Sequence, residues 1–190
     1  MSNVVALVLA GGNMGDYGVL TQNRAKGALT YGGIFRIIDF ALSNLVNAGI
    51  NKIGLVIQYL PGSLIEHVES GHPWDLDNYG KRLKIMPPFV GMAETVWYNG
   101  TADALLQNLS FAKDQQAEHV IVLSGEHAFY VDFRDVLARH IARNSDITVV
   151  TKELLPEQKR RRFGYVRTDD DGRILQYDEK PDTPTSNVAA

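Results

Sequence analysis

The stretch VVALVLAGGNMGDYGVLTQNRAK, residues 4–26, decides the fold. Its first seven residues form a near-continuous apolar, β-branched run that stops at Gly11-Gly12, as a strand buried on both faces of a parallel sheet would. The run has no basic lead-in and is too short for a membrane span or a signal core. Behind it, glycines stand at 11, 12, 15 and 18. Met14 fills the second glycine place of G-x-G-x-x-G and no Gly-Lys-Ser/Thr follows, so the dinucleotide and P-loop readings fail, and with them a nicotinamide-dependent dehydrogenase. A strand remains, with a turn whose backbone N–H groups face either an anion or solvent; alone, these residues support both readings equally.

Outward from this loop the chain alternates strand and helix. Ile34, Ile37, Ile38, Ala41, Leu42, Leu45 and Val46 fall on one helical stripe with Gly49 as its stop. Residues 52–58 read as a second buried strand, and 63–70 as a helix after the Pro61-Gly62 turn. Residues 71–96, rich in Gly and Pro, read as a long excursion with an edge strand at 83–86. Thr101 is expected to cap a helix with Asp103 in its first turn and Leu105, Leu106, Leu109 and Ala112 as its buried stripe. Residues 119–126 predict a third buried strand that delivers Ser124-Gly125-Glu126 at its C-terminal end, where open α/β sheets bind ligands. Asp132 then caps a helix carrying Phe133, Val136, Leu137 and Ile141; a fourth strand is expected at 146–154, and a hairpin at 163–168 and 173–180 around a turn at 169–172.

The expected fold is therefore α/β, a Rossmann-like, mixed but mostly parallel sheet flanked by helices. One domain is expected over residues 1–181, with a flexible tail at 182–190. The Pro/Thr/Ser/Ala composition of that tail predicts a chain cut from a longer parent.

At 190 residues, 45% hydrophobic and 22% charged, the chain has the composition of a soluble globular domain with a core. A net charge of -3 gives no overall field for nucleic acid or an anionic membrane, so a phosphate ligand has to be held by local groups. The absence of cysteine excludes a disulfide scaffold, thiol catalysis and thiolate metal sites, and fits a cytoplasmic location. The histidines at 67, 72, 119, 127 and 140 have no metal-ligand spacing, and the basic run 159–162 reads as solvated charge.

Several segments together carry a resemblance: LAGG (9–12), RAKGALTYGGIFRIIDFALSNLVNAGI (24–50), IQYLPGSLIEHV (57–68), WYNGTADALLQNL (97–109), VLSGEHAFYVDF (122–133) and YDEKP (177–181). In order and spacing the chain resembles the glucose-1-phosphate adenylyltransferase (ADP-glucose pyrophosphorylase) family of the sugar nucleotidyltransferase superfamily, with its GT-A-like fold. The resemblance implies attack by the phosphate of glucose 1-phosphate on the α-phosphorus of ATP, giving ADP-glucose and pyrophosphate for glycogen or starch synthesis. It further implies Mg²⁺ as cofactor, a homo- or hetero-oligomeric parent, and a C-terminal β-helix domain that residues 1–190 do not contain.

Residue by residue, the family loop A-G-G-x-G-x-R-L falls on Ala10, Gly11, Gly12, Asn13, Met14, Gly15, Asp16 and Tyr17, so that a glycine has become methionine and an arginine aspartate. Unit charges ~4 Å apart interact by about 4 kcal/mol at an effective dielectric of ~20, so Asp16 opposes a triphosphate strongly. Arg24 and Lys26 fall on the pyrophosphate-binding R-A-K block, with Gly27 in place of its proline. The family's metal-binding S-G-D-H is here Ser124-Gly125-Glu126-His127, which assigns Mg²⁺ to Glu126, and the partner aspartate lies beyond residue 190. Gln58, Tyr98, Gly100 and Thr101 fall on the adenine and ribose edge; Gly164, Glu179 and Lys180 fall on the sugar-phosphate clamp. Asn23, where family effector sites carry a base, removes the expectation of sugar-phosphate control. The pattern implies an adenylyltransferase of reduced turnover, or a regulatory subunit-like paralogue that binds sugar phosphate or partner subunits without efficient chemistry.

Overall fold

The computed structural model describes residues 3–12, 17–88, 97–161 and 163–190. Met14, Gly15 and Asp16 of the altered loop, part of the 71–96 excursion, and Arg162 lie outside the described residues. The chain forms two compact units, Met1–Phe133 and Arg134–Ala190, where the sequence predicts a single domain over 1–181.

The first unit contains β1 (Val4–Ala10), the short strands β2 (Thr30–Tyr31) and β3 (Phe35–Arg36), α1 (Ile37–Asn47), β4 (Lys52–Ile57), α2 (Gly62–Val68), β5 (Arg82–Met86), α3 (Thr101–Asp114) and β6 (His119–Ser124). Its main sheet runs β5-β4-β1-β6 with every neighbouring pair parallel. Parallel pairing sets the site, because the register Ala10↔Ile57 and Leu9↔Ser124 ends β1, β4 and β6 at one level. Whatever follows each strand emerges along the same edge.

β1 is central and covered on both sides, as its unbroken apolar run predicts: Val5, Ala6, Leu7 and Val8 are fully buried. Val5 and Leu7 join Val56, Met86, Tyr98, Ala104, Phe111 and Ala112 in one core cluster. Ile38, Ala41, Leu42 and Leu45 form the buried stripe of α1. Ile34 does not share it; it is 81% exposed in the β2–β3 turn, where Gly32 and Gly33 take positive φ and α1 starts only at Ile37. Asp39 then closes a capping box by accepting from the Arg36 N–H at 3.0 Å.

Two burial expectations change. In α3 the buried residues are Ala104, Asn108, Phe111 and Ala112, while Leu106 is 68% exposed, so the inward stripe is rotated from the apolar one. Asn108 earns its interior place through hydrogen bonds described below. β6 is not enclosed like β1: among the described residues it ends the sheet, and Val120 and Val122 are exposed.

The second unit holds α4 (Phe133–Ala142) from its second residue on, then β7 (Lys152–Glu153), β8 (Gly164–Thr168), β9 (Ile174–Glu179) and β10 (Val188–Ala189), paired antiparallel in the order β7-β10-β8-β9. The β8–β9 hairpin matches its prediction, and Asp169 closes its turn by accepting from the N–H groups of Asp171 and Arg173. The strand expected at 146–154 shrinks to β7, with Ile147 79% exposed. Residues 182–190, expected as a flexible tail, include β10, which inserts between β7 and β8.

Candidate functional site

β1, β4 and β6 deliver Gly11-Gly12, Gln58-Tyr59 and Gly125-Glu126 to one edge, and the N-terminus of α3 faces them. Between them lies an open cavity of about 350 Å³. Leu9, Val56 and Ala104 give it apolar walls; Gly11, Gly12, Gln58, Tyr59, Tyr98, Gly100, Thr101, Ser124 and Glu126 complete the lining. The glycines are there because space demands it. A Cβ on Gly11 would sit 3.1 Å from the Gln58 backbone nitrogen, and one on Gly12 would lie 2.6 Å from both Glu126 carboxylate oxygens. Gly100, with φ at 107°, precedes α3 in a conformation that side chains rarely adopt.

Glu126 is the electrostatic centre of this edge. Its Oε1 accepts from the Gly12 N–H at 2.8 Å and its Oε2 lies 3.8 Å from the Lys26 ammonium. Both side chains are mostly covered, 15% exposed for Glu126 and 14% for Lys26. The Ser124 hydroxyl accepts from the Glu126 N–H at 3.1 Å and steadies the turn. Gly125 has no room for a side chain: a Cβ would lie 2.6 Å from Ile38 Cδ1 and 3.0 Å from Val8 Cγ1. Lys26 opens a short 3₁₀ turn, Lys26–Ala28, whose Ala28 carbonyl accepts from Arg36 Nη1 at 3.4 Å; the same nitrogen reaches the Ser63 carbonyl at 2.9 Å. Asn44 fixes the segment after β6, donating to the Phe129 carbonyl at 2.9 Å and accepting from the Val131 N–H at 3.2 Å. The R-A-K and F-A-L-S-N segments thus act partly as supports for the edge.

The opposite wall is a buried polar chain. The Tyr98 N–H donates to Gln58 Oε1 at 2.9 Å, which leaves the Gln58 amide nitrogen as its remaining polar end. The Tyr98 ring points inward, its hydroxyl donating to the Met86 carbonyl at 3.4 Å and accepting from Asn108 Nδ2 at 2.9 Å. Burial pushes the Tyr98 hydroxyl above its ordinary value, and the bond from Asn108 acts against that rise, so it stays a neutral donor. Tyr59, on the lining, stacks on Trp97 with ring centroids 5.6 Å apart.

The structure therefore brings Gly11, Gly12, Gln58, Tyr98, Gly100, Thr101 and Glu126 to one cavity, with Lys26 reaching Glu126. Ala10 is buried behind the turn and Arg24 is exposed on the loop before Lys26; neither lines the cavity. Gly164, Glu179 and Lys180 lie in the second unit. There Gly164 pairs with Glu179 across the hairpin and its missing Cβ makes way for the Tyr177 ring. The Tyr177 hydroxyl donates to Glu179 at 2.5 Å and Lys180 Nζ lies 3.1 Å from the same carboxylate, holding it below the ordinary glutamate range.

Tyr59 and Asn108 are not among the site residues that the sequence predicts. Asn108 left a signal, a polar residue one turn before Phe111 and Ala112 on the inward face. Asn108→Leu is expected to lower unfolding free energy by about 1–3 kcal/mol, because the Tyr98 hydroxyl loses its buried donor. Urea denaturation measures this, and a change under 0.5 kcal/mol, roughly the surface-substitution level, would contradict it.

Among the described residues no helix is long and apolar enough to cross a membrane, and no group of three or more His, Asp or Glu is placed to hold a metal ion. The sequence profile of the family described as Nucleotidyl transferase matches residues 5–190. The chain is 45% identical over 190 residues to the glucose-1-phosphate adenylyltransferases of Thermotoga neapolitana and Thermotoga maritima, covering all of this chain and 45% of each relative. It is 40% identical over 187 residues to that of Clostridium acetobutylicum, covering 98% of this chain and 49% of the relative. The chain thus spans about half the length of the curated relatives it matches.

Proposed function

The chain belongs to the nucleotidyl transferase family, and from that premise we propose that it forms ADP-glucose and pyrophosphate from ATP and glucose 1-phosphate. One observation carries the reading. Two glycines, an amide, a helix N-terminus and a carboxylate line one 350 Å³ cavity at the C-terminal edge of a parallel sheet, and a lysine reaches that carboxylate.

In this reading a phosphate oxygen of glucose 1-phosphate forms a bond to the α-phosphorus while the bond to the β-phosphate oxygen breaks, and pyrophosphate leaves with the electron pair. Charge builds on the phosphoryl oxygens, so fixed donors and cations lower the barrier. The Gly12 N–H and Lys26 supply them from this chain. Gln58 offers its amide nitrogen to a ring nitrogen of adenine, and Gly100-Thr101 lie beside the ribose. Arg24 is assigned to the pyrophosphate end; Lys180 is assigned to the sugar phosphate, with Glu179 and Gly164 beside its hydroxyls.

Glu126 would hold Mg²⁺. It is the one carboxylate lining the cavity among the described residues, which fits an ion that takes most of its ligands from phosphates and water. When bound, the ion supplies charge neutralisation at the triphosphate. A cytoplasmic location and an oligomeric parent belong to the same proposal and are carried by the likeness to the glucose-1-phosphate adenylyltransferases.

Incubation with ATP, glucose 1-phosphate and Mg²⁺ should yield ADP-glucose and pyrophosphate by chromatography. A second reading, a regulatory paralogue, is favoured by the Gly12–Glu126 bond and by Met14 and Asp16 in the loop sequence. It predicts binding of sugar phosphate or of partner subunits without product. Failure to bind either substrate would remove the enzymatic reading.

A further inference from the structure

We infer that Glu126 makes this cavity selective for metal-complexed over metal-free polyphosphates, an inference that rests on the nucleotide reading of the same cavity. A glycine turn after a strand offers its N–H groups to an anion, and here one seat is already taken. The Glu126 carboxylate stands on the Gly12 N–H at 2.8 Å and occupies the space around Gly12 so closely that a Cβ there would meet both oxygens at 2.6 Å. Its second oxygen is turned toward Lys26, 3.8 Å away. The chain's own carboxylate therefore holds two of the groups a phosphate would need.

Charge decides which ligand can displace it. A free polyphosphate carries several negative charges and no cation, so to reach Gly12 and Lys26 it must push aside a like-charged group and leave that group, itself 15% exposed, with neither partner. A polyphosphate that arrives with a divalent cation brings the carboxylate a replacement partner. Glu126 then exchanges an N–H and an ammonium for the ion, and both become available to the phosphate oxygens. Reach matters as well: an aspartate at 126 has one methylene fewer and would bring the carboxylate back from Gly12.

Isothermal titration of the whole chain with tripolyphosphate, in excess EDTA and then in Mg²⁺, tests this without a base in the ligand. Wild-type protein is expected to bind the Mg²⁺ form at least ~10-fold tighter than the free form. Glu126→Gln keeps the shape and the acceptor for Gly12 but removes the charge; metal-free tripolyphosphate should bind it roughly 10-fold tighter than wild type, and the preference for Mg²⁺ should vanish. Glu126→Asp should bind the metal-free form several-fold tighter than wild type, on the order of 3-fold, while retaining the Mg²⁺ preference. Equal metal-free affinities in wild type and both variants would overturn the inference, as would absence of tripolyphosphate binding in all three. Should tripolyphosphate behave as expected while Mg·ATP binds no better than Mg·tripolyphosphate, the adenine reading fails and the selectivity stands.

Discussion

Replacing Lys26 with methionine is expected to lower kcat/KM for ADP-glucose formation by about 10²–10³-fold, the usual cost of removing one preorganised group that meets developing charge. Lys26 is 14% exposed, sits on a 3₁₀ turn anchored through Arg36, and points its ammonium at Glu126. Methionine keeps the length and the apolar stem, and the Tyr17 ring 5.9 Å from the ammonium remains as a packing surface. The loss should therefore fall on turnover and Mg·ATP affinity, with the melting temperature nearly constant. Steady-state kinetics beside thermal melting decides the matter. An unchanged rate would mean that the phosphates lie elsewhere, and a large fall in melting temperature that Lys26 is mainly structural.

The opposite direction gives the second large effect. Asp16→Arg combined with Glu126→Asp is expected to raise the rate of ADP-glucose pyrophosphorolysis by about 100-fold or more, since each charge placed within ~4 Å of a phosphate is worth about 4 kcal/mol at an effective dielectric of ~20. The first change restores a cation to the loop sequence. The second withdraws the carboxylate from Gly12, whose N–H it now occupies at 2.8 Å. The single variants separate the two contributions, and rapid turnover by the unmodified chain would refute the impaired-site argument outright.

Much of this architecture was readable from local pattern. β1 announced itself because a strand covered on both faces must be apolar at every position, and the β8–β9 hairpin because Asp169 and Gly172 are turn residues in mechanism as well as frequency. The spacing of Ile34 fits the α1 stripe; nothing in that spacing reveals that Gly32 and Gly33 hold it in a turn. The α3 stripe misled because hydrophobicity cannot weigh a buried amide that finds partners on Tyr98 and Ala104. The burial expected of β6 failed because its apolar sequence does not say whether it is central or marginal in the sheet. The resemblance placed Glu126 in the site, but its bond to Gly12 joins residues 114 apart, beyond the reach of any local window.

The pairing of β1 with β6 also bears on how the protein is made. A ribosome releases β1 first, yet its neighbour on one side begins only at His119. At about 5–20 residues per second that wait lasts on the order of 6–20 s. Through it the most apolar strand of the chain has one flank open, and the pocket has neither Glu126 nor Ser124. Chaperone dependence and co-translational aggregation should concentrate in that interval and ease once residues 119–126 have cleared the exit tunnel.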